Sequence, residues 1–484
     1  MLRVISVLSF QTLHNTYKSQ SMSRLPRSQV YLLVRKWLLS ITSLLFYFSG
    51  SAQVYQEYLL SGWTFKSEVA DIWLPAEIPG SLQNDLQLNG REVASNLNET
   101  WLYNTHFIAD EHILARDHVE LLFEGLDTEA DVYLNDQLIL QANNMFRSWI
   151  VPVKSVLKKG KNNLQISFKA SKATFDPAVR KANYHFKLRD SSQIPLGIWK
   201  PVVLQSWNTF NVTGVFIKQR QVTDKEASLV AVIDLRGTSD TNLEVEIFDE
   251  ITNKTYKRQQ VNVQQGDQLL EIPFSIRNPK LWWPVSLGSQ NLYMIGIRVK
   301  GGSSEQNLVR RIGLREVEIV THGKKLSPAI TVNGKPVVLK GINYLPTTLL
   351  TSHMSSDDYD LIFNQVVDKK LNTIHVSGEG IYESEYFYDL ADTKGILILQ
   401  DFMFSDRDYP SSQMFIENVK EEADEVIQSL RQHPSLVLWT GKLTDDVHGK
   451  ENSLKRTLTE RVALLDPSRP LVNSEFTDEW AINQ

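Results

Sequence analysis

The chain has 484 residues, enough for roughly three domains at about 150 residues each. Apolar residues make up 42%, charged residues 22%, and there are 11 tryptophans, which excludes a disordered chain, a collagen-like fibre and a coiled coil. With no cysteine there can be no disulfide scaffold, thiolate zinc site, iron–sulfur cluster or cysteine nucleophile, and a net charge of −5 gives no sign of nucleic-acid binding.

The charge is unevenly spread. Residues 1–56 hold six cationic residues and no acid, so the remainder carries −11. After Arg35-Lys36 an apolar run spans Leu38 to Phe48, followed by the small residues Gly50, Ser51 and Ala52. This is the pattern of a secretory signal, with a cut expected after Ala52 and Met22 as an alternative start. The run is too short to span a bilayer comfortably, so no membrane attachment is expected once the leader 1–52 is removed. The acid-free, serine-bearing start also fits a mitochondrial transit peptide. Export without cysteines points to a periplasm. Three glycosylation-type triplets begin at Asn98, Asn211 and Asn253, a pattern that chance also supplies.

From 53 to 208 short β-rich segments alternate with turns. Glu120–Glu124, Ala130–Leu134 and Asn163–Phe168 read as strands, and Asn135-Asp136 between Val132–Leu134 and Leu138–Leu140 as a hairpin turn. No helical period is evident, so a β-sandwich is predicted. From 209 to 321 strands at Leu229–Leu235, Leu243–Phe248, Leu269–Phe274 and Leu292–Val299 predict an immunoglobulin-like sandwich.

After 322 the period changes. Val337–Ile342 reads as a buried strand, and 355–370 as a helix capped by Ser355 or Ser356. A strand at Thr373–Val376, a helix near 384–393, a strand at Ile396–Leu399 and a helix over 413–432 follow. A strand at Leu436–Trp439, a helix near 452–465 and Leu471-Val472 complete the series. This alternation predicts a parallel sheet. Four to five βα units fit in 337–484, whereas a closed (β/α)8 barrel needs eight and about 250 residues. Either the sheet is open or a barrel is cut short.

Several motifs together resemble the β-mannosidases of glycoside hydrolase family 2. They are Phe123–Asn135, Asn144–Arg147, Arg180–Phe186 and Gly197–Val202 in the first sandwich, and Asn278–Pro284 and Arg311–Arg315 in the second. In the third region, Val332–Pro346, Tyr388-Asp389, Gln400–Phe404 and Tyr409-Pro410 continue the match. The resemblance implies a jelly-roll-like β-sandwich, an immunoglobulin-like β-sandwich and the N-terminal part of a (β/α)8 TIM barrel. It also implies a retaining hydrolase of terminal β-mannosides that needs no metal or other cofactor. Such chemistry uses two carboxylates about 5–5.5 Å apart at the C-terminal ends of barrel strands, one an acid/base and one a nucleophile.

At those positions this chain departs from the family. The family's fourth-strand motif, Trp-x-Gly-Asn-Asn-Glu, stands here as Trp439-Thr-Gly-Lys-Leu-Thr444. Thr444 therefore occupies the acid/base position, and a hydroxyl cannot protonate a leaving group near neutral pH. That loss typically costs about 10²–10⁴-fold. Asp445 and Asp446 are the nearest carboxylates, and only Asp446 would share Thr444's side if the strand continued. Glu475, in Asn473–Phe476, superficially matches the nucleophile's surroundings but follows Leu465–Pro470, which resembles the approach to a fifth strand. The nucleophile strand is thus expected beyond Gln484.

Lys187–Asp190 stands where the family has Gly-Trp-Asp-Trp, and His375–Gly380 where it has Arg-Val-Trp-Gly-Gly-Gly. Asp401, Glu379, Asn343 and Trp439 remain as sugar-contact candidates. Asp401 also reads as a structural acid, Trp439 as either pocket wall or core, and His375 as a buried structural residue. A β-mannoside or related glycan is the expected ligand, and a partner chain completing the barrel is a further expectation. The rival readings are a non-catalytic carbohydrate-binding protein and an inert remnant.

Overall fold

In the computed structural model the described residues are 54–91, 99–169, 179–182, 196–302, 304–320, 329–346, 354–405, 409–443, 446–447 and 450–474. The expected leader 1–52, Lys187–Asp190, Thr444, Asp445 and Glu475 lie outside them.

The first region shows how alternation becomes a sandwich. Along Trp101–Ala109 every second residue is buried, from Trp101 through Tyr103, Thr105 and Phe107 to Ala109. That period of two puts one face of the strand on a core. Asn135 and Asp136 both take left-handed φ, 52° and 69°, as a two-residue hairpin turn requires. The six-stranded antiparallel sheet runs in the order Leu74–Pro75, Thr64–Ser67, Trp101–Ala109, Gly160–Phe168, Ala130–Leu134 and Gln137–Ala142. It packs on a four-stranded sheet of Tyr55–Tyr58, Val202–Trp207, His118–Phe123 and Trp149–Pro152 around Phe65, Tyr103, Phe123 and Phe168. Two short helices, Leu82–Leu88 and Glu111–Leu114, sit where only strands and turns were expected. They are too short to show a helical period. Ser81 and Asp110 cap them through side-chain oxygens.

The second region is also a two-sheet sandwich. A three-stranded sheet of Phe210–Val222, Glu226–Gly237 and Gly266–Arg277 faces a four-stranded one of Thr255–Val263, Thr241–Asp249, Tyr293–Gly301 and Ser304–Ile312. Ile217, Ile233, Val245, Ile247, Ile272 and Ile297 fill the space between them.

The third region is a five-stranded parallel sheet in chain order: β1 (Gly341–Tyr344), β2 (Thr373–Val376), β3 (Leu397–Asp401), β4 (Leu436–Gly441) and β5 (Leu471–Asn473). Between them run α1 (Ser356–Asp368), α2 (Glu385–Lys394), α3 (Gln413–Leu430) and α4 (Ser453–Leu465). Ser355 opens α1 with a full capping box against Asp358. Gly395 closes α2 in the left-handed conformation.

One expected strand is corrected. Val337–Ile342 is not a single buried run. Lys335–Val337 pairs with Ala329–Val332 in a three-stranded antiparallel sheet, Val338 is 74% exposed, and β1 starts only at Gly341. The Asn333-Gly334 turn, with φ of 51° and 73°, folds the chain back before the parallel sheet begins. This small sheet lays Ile330 and Val332 against Leu397, Leu399, Val437 and Leu438 of the parallel sheet.

Candidate functional site

Parallel pairing aligns side chains across the sheet. Asn343, His375 and Leu399 stand in register on one face. Asp401 lies two residues beyond Leu399 on that face, in register with Thr440. Asn343, His375 and Asp401 thereby converge at the C-terminal ends of three neighbouring strands.

The group they form is closed. His375 Nδ1 lies 2.8 Å from Asn343 Oδ1, and His375 Nε2 lies 2.9 Å from Asp401 Oδ1. The backbone N–H of Gly378 donates to Asp401 Oδ2 at 2.9 Å. Both ring nitrogens and both carboxylate oxygens are therefore engaged, and His375 and Asp401 are buried. Burial alone would raise the Asp401 pKa, but the neighbouring His375 and the bonds it accepts hold the carboxyl below the ordinary range. A carboxyl so held is a charge-stabilising or orienting group and a poor proton donor. His375, engaged at both nitrogens, has none left to serve as a base, in keeping with a structural histidine.

Gly378 shows how tightly the strand ends approach. A Cβ there would stand 2.3 Å from Phe404 O and 2.7 Å from Phe402 O. Only glycine lets the β2 loop lie on the segment after β3. Asn343 and Glu379 are half-buried beside this group.

Trp439 takes the core-filling place of its two expected roles. It pairs with Gln400 in register and so points to the helix side, away from Asp401. It is fully buried, stacks on Phe402 with ring centroids 5.2 Å apart, and its indole N–H donates to Asp466 Oδ2 at 2.8 Å. The parity reasoning for Asp446 is also corrected. β4 ends at Gly441, and Asp446-Val447 pairs with Lys450-Glu451 in a separate two-stranded ribbon. Asp446 is thus not a continuation of β4, and side-chain alternation along β4 does not reach it.

Sequence reasoning assigned no role to a second buried group beside the site. Arg180, from the first sandwich region, donates to Glu422 of α3 through Nε and Nη2, both at 2.8 Å. Its Nη2 also donates to the carbonyl of Met403 at 3.0 Å, just after β3, and its guanidinium lies 4.0 Å from the Phe404 ring centre. Asn144 and Tyr382 donate to the same carboxylate at 3.0 and 3.1 Å. This cluster fixes the Met403–Phe404 segment that follows Asp401. Its signal in the sequence was a pair of motifs, Asn144–Arg147 and Arg180–Phe186, but nothing in them names Glu422 as the partner.

Comparison with known proteins agrees with this architecture. Residues 63–200 match the family description "Glycosyl hydrolase 2 galactose-binding domain-like", and residues 210–315 match "Glycosyl hydrolases family 2". A β-mannosidase of Mus musculus is 27% identical over 87% of this chain and 55% of its own length. β-Mannosidase B of Aspergillus niger is 30% identical over 81% of this chain and 51% of its own. The solved β-D-mannosidase of Dictyoglomus thermophilum superposes with a TM-score of 0.78 at 29% identity, covering 87% of this chain and 58% of that one. The chain thus spans about half the length of the relatives it matches. With both sandwiches matched and the similarity continuing through the parallel sheet, the chain belongs to glycoside hydrolase family 2 and is β-mannosidase-like.

Proposed function

We propose that this chain derives from a retaining hydrolase of terminal β-mannosides, and that its own hydrolytic step is impaired. The observation that carries the impairment is Thr444, a hydroxyl residue at the acid/base position of the fourth-strand motif. The Asn343–His375–Asp401 group adds support, since both His375 nitrogens and both Asp401 oxygens are already engaged within it. Asp401, Asn343 and Glu379 are then sugar-contacting or sugar-orienting groups rather than acid and nucleophile.

We read the five parallel strands as the first part of a (β/α)8 barrel. Their strict chain order and the likeness to the Dictyoglomus structure support that reading. Among the described residues β1 and β5 stand at the two edges of the sheet, where further strands, or a partner chain, would complete it. The basic, apolar leader supports export, and the absence of cysteine a periplasmic destination.

Hydrolysis of an aryl β-mannoside by the purified chain tests the reading. No turnover above buffer is expected. Turnover that disappears in Asp446→Asn or Glu475→Gln would overturn the impairment. Calorimetric titration with mannose and manno-oligosaccharides separates a binding scaffold, which would give saturable heat, from an inert remnant.

A further inference from the structure

A different cluster lies where α2, the turn after α3 and the second sandwich meet. Glu385 opens α2, Asp389 follows one turn later, and Asp392 another three residues on, so the three acids share one helix face. His433 comes from the turn between α3 and β4 and is 5% exposed.

The ring of His433 is oriented from behind. Its Nδ1 lies 2.8 Å from Oδ2 of the buried Asp392. That leaves Nε2 turned toward Glu385 and Asp389. Nε2 is buried and has no hydrogen-bond partner. The nearest carboxylate oxygen, Glu385 Oε1, is 3.5 Å away and outside hydrogen-bonding geometry. Ligand atoms of Glu385, Asp389 and His433 all lie within 4.8 Å of one another. They border a cavity of about 580 Å³ whose other walls include Gly214, Val215 and Arg310 of the second sandwich.

We propose that Glu385, Asp389 and His433 form a divalent metal site of the zinc type, with Asp392 as the outer partner of His433. Two ligands about 2.0–2.1 Å from a tetrahedral zinc stand about 3.4 Å apart, close to the separation of His433 Nε2 and Glu385 Oε1. A carboxylate behind a ligating histidine is the usual device for fixing its tautomer and direction. One imidazole and two carboxylates suit zinc or a neighbouring transition metal better than calcium, which prefers six or more oxygens. Arg311 Nη2 pairs with Asp389 Oδ1. A carboxylate has two oxygens, so this pair leaves the second to the metal. The bound ion would staple α2 to the turn that leads into β4. The proposal is independent of the sugar-site reading.

The competing account of the same geometry is an ion-pair cluster in which His433 is a cation between Asp392 and Glu385. The full chain, stripped with a chelator and dialysed, separates the two when titrated with Zn²⁺ by calorimetry and with Co²⁺ by visible absorption. The metal site predicts one equivalent bound, a tetrahedral Co²⁺ spectrum and a Zn²⁺-dependent rise in Tm. Glu385→Gln and Asp389→Asn, both at partly or fully exposed positions of α2, should each weaken binding by at least about tenfold and remove the rise in Tm. No stoichiometric binding by the wild type, or unchanged affinity in either variant, overturns the site in favour of the ion-pair cluster.

Discussion

Two buried carboxylates near the ends of the parallel strands, Glu422 and Asp401, hold their basic partners over very different ranges. Arg180–Glu422 joins residues 242 positions apart and ties the first sandwich to α3 and the segment after β3. His375–Asp401 joins adjacent strands of one sheet and reaches only as far as Asn343 on the next strand and the Gly378 N–H. The first lies in motifs that still resemble the family. In the second, histidine stands where the family has arginine.

The contrast is broken most severely at Glu422. Its carboxylate accepts from Arg180, Asn144 and Tyr382, and all four residues are buried. Glu422→Ala leaves the Arg180 guanidinium buried beside a cavity. Removing one partner of such a pair costs about 3–5 kcal/mol. Urea unfolding should show that loss in the midpoint. A change under about 1 kcal/mol would mean that Arg180 rotates to water and that the clamp is weak.

A third buried carboxylate sharpens the comparison because its recorded partner is a phenol rather than a cation. Tyr359 donates to Glu383 Oε2 at 2.6 Å, and burial pushes the Glu383 carboxyl up to about 7. A carboxyl whose folded pKa is raised favours folding when protonated, so its contribution is greatest below its unfolded value and is lost as pH rises toward 7. Glu383→Gln keeps an acceptor for Tyr359 and removes the charge. The variant should gain on wild type between about pH 4.5 and 7. The gain should level off at about 3 kcal/mol above that window. Parallel pH profiles of Tm for the two proteins would refute the shift.

How much of this was legible depended on distance along the chain. The Asn135-Asp136 turn, the Ser355 cap and the strand–helix alternation after 354 could be read from sequence because neighbouring residues determine them. The Val337–Ile342 run misled because apolar composition cannot say where one sheet ends and another begins. The Asn333-Gly334 turn resolves it. Trp439 could be placed on a strand, but its face depended on a shift of register between β3 and β4 at Ile398–Leu399. The Arg180–Glu422 pair was invisible, since each residue alone looks like an ordinary surface charge. His433 looked equally ordinary, because its carboxylate neighbours come from α2, some forty residues earlier in the chain.

The smallest expected effect tests the strand-end pair itself. Asp401 accepts from His375 Nε2 on one oxygen and from the Gly378 N–H on the other. Asparagine offers only one oxygen, so Asp401→Asn must leave one of those donors facing an amide N–H₂. Losing a hydrogen bond to a charged group costs about 1.5–3 kcal/mol. The pH dependence carries a definite sign. The Asp401 carboxyl is held below 3.8, so its stabilisation is complete above that value and disappears as pH falls through the folded pKa. Wild type and Asp401→Asn should therefore differ in Tm at pH 7 and converge in strong acid. If they differ equally at both, Asp401 acts through packing, and the strand-end group is held by shape rather than charge.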